Sequence, residues 1–245
     1  MKMRLDKFTA SQKNISRKEA GELIRCGRVT VDGIVSKKPD TQIDPEHSNI
    51  TLDGMHILYR KNMYIMLNKP AGVICATRDE LSRTVTELIP PELYRKGLFP
   101  AGRLDKDTEG FVFITDDGEM AHKITSPAGH VEKEYIAALE SPAKENYPSL
   151  FVSGLVIDGG EKCLPAKLIM TENDRVVRII LREGKYHQVK RMAEAVGNRV
   201  TSLKRVRIGG LWLDEGLALG ECREILHNEI QKLCAIRQNF PVSKI

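Results

Sequence analysis

The passage that most constrains this chain runs from residue 102 to residue 118 and reads GRLDKDTEGFVFITDDG. A polar loop closed by Gly110 leads straight into Phe111-Val112-Phe113-Ile114 and Thr115. Aromatic and β-branched residues in an unbroken apolar run predict a buried strand. Asp116-Asp117-Gly118 then ends the strand and opens a short helix through His122 and Ile124. Five carboxylates, Asp105, Asp107, Glu109, Asp116 and Asp117, crowd this passage, although the chain as a whole has a net charge of +5. Three explanations compete: a calcium loop, a solvated turn, or one working aspartate presented at the edge of a sheet.

Asp105, Asp107, Glu109, Gly110 and Asp116 match positions 1, 3, 5, 6 and 12 of an EF-hand loop. The flanks oppose that match. Pro100 and Gly102 break a helix on the entry side, the exit predicts a strand, and position 12 is Asp rather than a bidentate Glu. No metal is expected. Asp105 and Asp107 are two residues apart, a spacing that does not by itself set two carboxylates across a sugar as a glycosidase requires. Asp107, Thr108 and Glu109 suit an ordinary turn.

Charge is distributed unevenly. Residues 1–61 carry 12 basic and eight acidic side chains, and residues 62–177 carry 13 and 18. Residues 178–207 carry nine basic side chains against two acidic, a net of +7. Such a block suggests a polyanionic partner. The five cysteines, Cys26, Cys75, Cys163, Cys222 and Cys234, lie too far apart for a zinc ribbon or a redox pair, and fit buried thiols in a reducing cytoplasm. No apolar run reaches membrane-spanning length, and MKMRLDKF lacks a signal-peptide core, so a cytoplasmic protein is expected. EGKY is no phosphate loop, because neither the preceding Gly nor the following Ser or Thr is in place.

The N-terminal segment predicts a small module. Residues 4–12 suit a short helix. Ser16-Arg17-Lys18-Glu19 is a capping box that opens a second helix reaching Arg25, with Leu23 and Ile24 apolar and Arg17, Lys18 and Arg25 polar. Gly27 stops it. Val29-Thr30-Val31 and Ile34-Val35 flank Asp32-Gly33, a two-residue hairpin signal, and residues 49–52 suit one more strand. The words RLDKF, SRKEAGELIRCGRVTVDG and ITLDG together resemble the S4-type RNA-binding domain. The expected organisation is this domain over residues 1–54, a linker over 55–62, a catalytic domain over 63–238 and a tail over 239–245.

Beyond the linker the pattern is mostly strands. They are expected at residues 64–67, 111–115, 135–139, 176–181 and 206–208, with a turn at Lys69-Pro70-Ala71-Gly72. Helices are expected at 187–196 and near 222–236. In the former, positions 187, 190, 191 and 194 share a polar stripe opposite Val189, Met192, Ala193 and Val196. Strands do not alternate strictly with long helices, so the fold class is α+β with a mixed, mainly antiparallel sheet.

Ala101-Gly102-Arg103-Leu104-Asp105, Thr108, Gly110 and Thr115-Asp116-Asp117-Gly118 resemble the signature motif of pseudouridine synthases. Ser126-Pro127 with Lys133-Glu134-Tyr135 resembles the second motif. Residues 182–192 (REGKYHQVKRM), Val196-Gly197-Asn198 and Arg205-Val206-Arg207-Ile208-Gly209-Gly210 resemble the third. The likeness is to the branch with an N-terminal S4 domain that acts on ribosomal RNA. It implies isomerisation of uridine to pseudouridine without cofactor, on a flipped-out nucleotide.

By matching position Asp105 is the essential aspartate, acting on sugar, on ring or on a sugar proton. Tyr135 stacks on the base. Lys190, or its neighbour Arg191, pairs with the aspartate and keeps it charged. The likeness also implies RNA or substrate contacts by Arg103, His187, Gln188, Arg191, Leu203 and Arg205, and by Arg17, Lys18, Arg25 and Arg28 of the S4-like module. The string Lys-Tyr-His-Gln-Val-Lys implies small-subunit ribosomal RNA, at a 516-type site of 16S RNA. The alternatives are a large-subunit enzyme, a non-catalytic assembly protein built from the same modules, and a glycosidase. A monomer is the default.

Overall fold

The computed structural model describes residues 2–234. Within them the chain forms two compact units. One holds the residues up to Met63 together with Tyr94–Gly97, and the other holds Tyr64–Leu93 and the chain from Leu98 onward.

In the first unit β1 (Met3–Arg4) leads into α1 (Leu5–Lys13) and α2 (Arg17–Arg25), followed by β2 (Val29–Val31), β3 (Ile34–Val35), β4 (Gln42–Ile43), β5 (Ile50–Leu52) and β6 (Met55–His56). Ser16 accepts from the Glu19 N–H and Glu19 reaches back to the Ser16 N–H, the reciprocal cap that the sequence implied. A Ser cap of this kind is worth about 1 kcal/mol. Four strands pair in the order β3-β2-β5-β6. Asp32 and Gly33 both take positive φ between β2 and β3, as a type I′ hairpin requires. Leu5, Phe8, Ile24, Val29, Ile43, Ile50 and Ile57 form the core. The stretch expected as a linker is therefore structured. Asp53-Gly54 makes a second positive-φ turn, β6 pairs with β5, and Ile57 is buried.

The second unit is built on one large sheet. Its elements are β7 (Tyr64–Lys69), β8 (Phe99–Pro100), β9 (Glu109–Thr115), α3 (Gly118–Thr125), β10 (Lys133–Leu139), α4 (Tyr147–Val152), β11 (Val156–Ile157), β12 (Glu161–Lys162), β13 (Lys167–Met170), β14 (Val176–Leu181), α5 (Gln188–Ala195), β15 (Val200–Ile208), β16 (Leu211–Trp212), β17 (Cys222–Glu224) and α6 (His227–Leu233). The main path of the sheet is β13-β14-β10-β15-β9-β7-β17. Every pairing along it is antiparallel except β9 with β15. The sheet is mixed and mainly antiparallel, as expected. Phe111, Phe113, Met66 and Ile208 bury one region of it with Ile124 of α3 and Leu233 of α6. Burying each large apolar side chain contributes about 1.5–3 kcal/mol.

Several elements differ from expectation. Lys69 closes β7 opposite Gly110 instead of starting a turn. β15 is nine residues long, not three, and β13 was not foreseen. Residues 222–224 form a strand on β7, so the last helix begins only at His227. Its expected end at Ile236, and the tail 239–245, lie outside the described residues. No helix among the described residues is long and apolar enough to cross a membrane.

Candidate active site

Asp105 sits on the loop between β8 and β9, and three features of the surrounding chain fix that loop. Thr108 N–H donates to the Asp105 carbonyl at 3.1 Å, closing a turn. Lys69 is fully buried, and its ammonium donates to the carbonyls of Pro70 (2.9 Å), Lys106 (3.2 Å) and Thr108 (2.8 Å). Burial depresses the pKa of that ammonium, and three carbonyl acceptors replace the water it has lost. Gly110, with φ of 99°, then lets β9 press against β15. A β-carbon there would stand 2.2 Å from the Arg205 carbonyl oxygen. The segment that matches the calcium spacing thus exits into a strand, not a helix.

The second wall comes from α5. Its N-cap, His187, adopts the left-handed conformation with φ of 47°, unusual for a residue with a β-carbon. Its Nε2 lies 3.6 Å from Asp105. One turn on, the Lys190 ammonium lies 3.2 Å from Asp105 Oδ2 and donates to Asp107 at 2.6 and 2.9 Å. Burial pulls the Lys190 pKa down, but the hydrogen bonds to Asp107 and Asp105 outweigh it and hold the amine charged. The same contact holds Asp107 below the usual carboxylate range. Lys190 is therefore the cation beside Asp105. Arg191 turns the other way, to Asp158 and to Glu161 at 3.1 Å, and ties α5 to the β11–β12 turn.

The floor is the sheet face that carries Lys133 and Tyr135 of β10 and Leu203, Arg205 and Ile208 of β15; Lys133 pairs with Ile208 and Tyr135 with Arg205, across a register shift between Glu134 and Tyr135. Together these surfaces enclose a cleft of about 1000 Å³ lined by Arg103, Asp105, Lys133, Tyr135, His187 and Arg205 among others. Leu203 and Tyr135 also line a recess of about 60 Å³ behind it. Tyr135 is largely buried in this wall and Arg103 is exposed at it.

Two expectations need correction. Gln188 does not line the larger cleft and reaches only the small recess beside Asp105 and Tyr135. It is buried, donating to Glu183 at 2.6 Å and accepting from the Lys185 N–H at 3.0 Å, so it braces the 183–188 loop. The basic block is also not an open RNA-binding face. Arg178 pairs with Glu134, Arg182 with Glu132, Lys185 with Glu161, and Arg207 with both Glu132 and Glu134, in addition to the Lys190 and Arg191 pairs above. Acids of the 62–177 segment neutralise it from within. In the first unit Arg17 pairs with Asp6 and Arg28 with Asp53, whereas Lys18 and Arg25 are exposed.

Four residues at the site were not among the expected site residues. Asp107 shares Lys190, and Lys69 holds the loop. Lys133 lies on the same strand face as Tyr135, a placement that alternation along β10 foretells. Tyr186 is 75 % exposed and stacks on His187 with ring centroids 3.8 Å apart.

A carboxylate paired to lysine, beside a tyrosine in a cleft cut into a mixed sheet, agrees with the comparisons to known proteins. The RNA pseudouridylate synthase family model matches residues 63–195 and the S4 domain model matches residues 3–48. The chain belongs to the RNA pseudouridylate synthase family, and is an isomerase with an N-terminal S4 domain. It is 44% identical over 234 residues to the uncharacterized RNA pseudouridine synthase YtzG of Bacillus subtilis, covering 94% of this chain and 98% of that protein. It is 43% identical over 229 residues to ribosomal small subunit pseudouridine synthase A of Escherichia coli, covering 93% and 98%. A crystal structure of a pseudouridylate synthase matches with a TM-score of 0.66 and 40% identity, covering 94% of this chain and 99% of that one.

Proposed function

We propose that this protein converts one uridine of small-subunit ribosomal RNA to pseudouridine, with Asp105 as the carboxylate that acts on the nucleotide. The observation that carries the assignment is the Asp105–Lys190 pair, 3.2 Å apart at a cleft walled by Tyr135. The cleft, about 1000 Å³, is at the upper end of the ~300–1,000 Å³ typical of small-molecule sites, room enough for a nucleotide turned out of its helix. Unstacking costs a few kcal/mol, and contacts to the flipped base and backbone offset it. Tyr135 and Leu203 take the faces of the base, and Arg103 takes a phosphate at the rim. Lys18 and Arg25 of the S4 domain hold RNA backbone further off.

Asp105 reacts in its charged form. It bonds to C1′, adds to the ring, or takes the C2′ proton. By each route the C1′–N1 bond breaks, the uracil turns, and C5 bonds to C1′. The Lys190 ammonium stabilises the carboxylate before and after. Small-subunit RNA is favoured by likeness to the Escherichia coli and Salmonella typhimurium proteins named for that subunit, and by the Lys185–Lys190 string.

The test is incubation of the purified protein, assumed cytoplasmic and monomeric, with small- and large-subunit ribosomal RNA, both free and in particles, followed by pseudouridine mapping. Product at the 516-type site of the small-subunit RNA is expected, and D105N should make none. Product only in large-subunit RNA moves the substrate, and product from D105N removes Asp105 from its role.

A further inference from the structure

Two cations buried in the wall of the cleft have no part in the scheme above. Lys133 is 7 % exposed and Arg205 is 3 % exposed, and both line the cleft that holds Asp105 and Tyr135. Arg205 donates its Nε to the Phe111 carbonyl at 2.7 Å, which pins the guanidinium. Its Nη2 is buried with no acceptor among the described residues. Lys133 has lost water, and the neighbouring charge that acts on it is Arg205, another cation. Burial first and Arg205 second push its pKa down to about 8.

The rest of the sheet shows what a structural cation looks like here. Arg207, two residues from Arg205, lies between Glu132, Glu134 and the Gly209 carbonyl. Lys69 has three carbonyls. An isolated charge placed in a dry wall costs several kcal/mol unless a partner arrives. Two of them converging on one cavity call for an anionic ligand. The rim already has exposed Arg103 and Lys106 for phosphate. Lys133 and Arg205 instead neighbour Tyr135 in the sheet, where the base is placed.

We propose that Lys133, with the Arg205 guanidinium in the wall behind it, forms an anion site for the uracil ring, holding the negative charge that its N1, O2 and O4 carry once the glycosidic bond has broken. This rests on the assignment of Asp105 as the reacting carboxylate. When C1′–N1 breaks, both bonding electrons stay on the ring and give a uracil monoanion. C1′ is satisfied by a bond to the Asp105 carboxylate or by loss of the C2′ proton to it. After the ring turns, a C5 electron pair forms the bond to C1′, and Asp105 departs or returns the proton to C2′. C5 then loses its proton and N1 gains one, so no atom or electron is gained or lost overall. Fixed cations would lower the barrier to bond cleavage and keep the detached ring from escaping while it turns.

Two experiments bear on this. The first is RNA-free: calorimetric binding of 5-nitrouracil, whose ring is anionic at neutral pH, compared with uracil. Wild type should prefer the anion, and K133M should lose at least about tenfold of that preference. The second is single-turnover isomerisation of ribosomal RNA. K133M should slow it by about 10²-fold with RNA affinity unchanged, and K133R should recover part of the loss. With 5-fluorouridine at the target, cleavage of the C1′–N1 bond should show a narrower K133M deficit, because a weaker base leaves with less help; cleavage is the readout because C5 then carries fluorine and has no proton to lose. Equal binding of 5-nitrouracil by wild type and K133M overturns the proposal. So does a K133M variant that binds RNA weakly yet turns over at the wild-type rate, which would make the site a phosphate site. If wild type isomerises no ribosomal uridine, the assignment of substrate fails while the 5-nitrouracil comparison still decides the anion site.

Discussion

The ammonium of Lys190 lies 3.2 Å from Asp105 yet donates its shorter bonds to Asp107. One lysine thus serves two carboxylates on the same turn. The hydrogen bond from Lys190 holds the Asp107 carboxyl below the usual carboxylate range.

Replacing Lys190 with Met should lower single-turnover isomerisation by about 10²-fold, while K190R stays within about tenfold of wild type. D107N leaves Lys190 to Asp105 alone and should stay within about threefold. A D107N variant as inactive as D105N would show that Asp107 does more than share the lysine.

Gly110→Ala should destabilise the protein by about 2–4 kcal/mol, because its β-carbon would meet the Arg205 carbonyl oxygen at 2.2 Å. Gly72 also has positive φ but open space around it, so Gly72→Ala should cost only about 1 kcal/mol. Urea denaturation of both variants separates close approach from backbone conformation. Equal losses would remove the close approach as the reason for a glycine at 110.

Lys133 should carry a pH signature. Its folded pKa of about 8 lies below the ordinary lysine value of 10.5, so between those values the unfolded chain binds more protons and stability rises with pH. K133M removes the buried charge and should be the more stable protein at pH 7, by up to about 3 kcal/mol. The gap should close as wild type gains stability between pH 8 and 10.5. Parallel denaturation curves for the two proteins across that range would show that burial does not disfavour the ammonium. A residue whose removal stabilises the fold and slows the reaction is kept for the reaction.

In the S4 domain Lys18 and Arg25 are exposed, whereas Arg28 is held by Asp53. Lys18→Ala and Arg25→Ala should each weaken RNA binding and reduce the salt slope by about 1, and Arg28→Ala should do less. Binding titrations at several salt concentrations measure this, and equal slopes for all three variants would count against the distinction.

What was legible in the sequence was local. The Ser16 cap, the Asp32-Gly33 hairpin and the apolar run of β9 each follow from a few adjacent residues, and each formed where expected. Asp53-Gly54 carries the same hairpin signal, but the strand it serves is two exposed residues, Met55–His56, and polarity made that stretch look like a linker. The polar start of β15 hid a strand whose alternate side chains floor the cleft.

The charges were misjudged for a different reason. Arg178 and Arg207 meet Glu134 from 44 and 73 residues away, and Arg191 meets Asp158 from 33. Nothing nearby in the chain announces such pairs, so a block that is +7 in sequence is largely neutralised in space. Gln188 is a smaller instance. The left-handed turn at His187 rotates the first residue of α5 inward, and periodicity alone does not foresee it.

β15 joins the two halves of the sheet. β7, β8 and β9 pair among themselves, as do β10, β13 and β14, and among the described residues β15 alone bridges β9 and β10. The loop that bears Asp105 and the strand that bears Tyr135 both precede residues 200–208 in the chain. Until β15 inserts, the two stand on separate parts of the sheet and the cleft floor lacks one of its two strands. A chain cut before residue 200 should therefore lack isomerase activity even where its S4 domain has folded, because the strand that brings the two halves of the sheet together is missing.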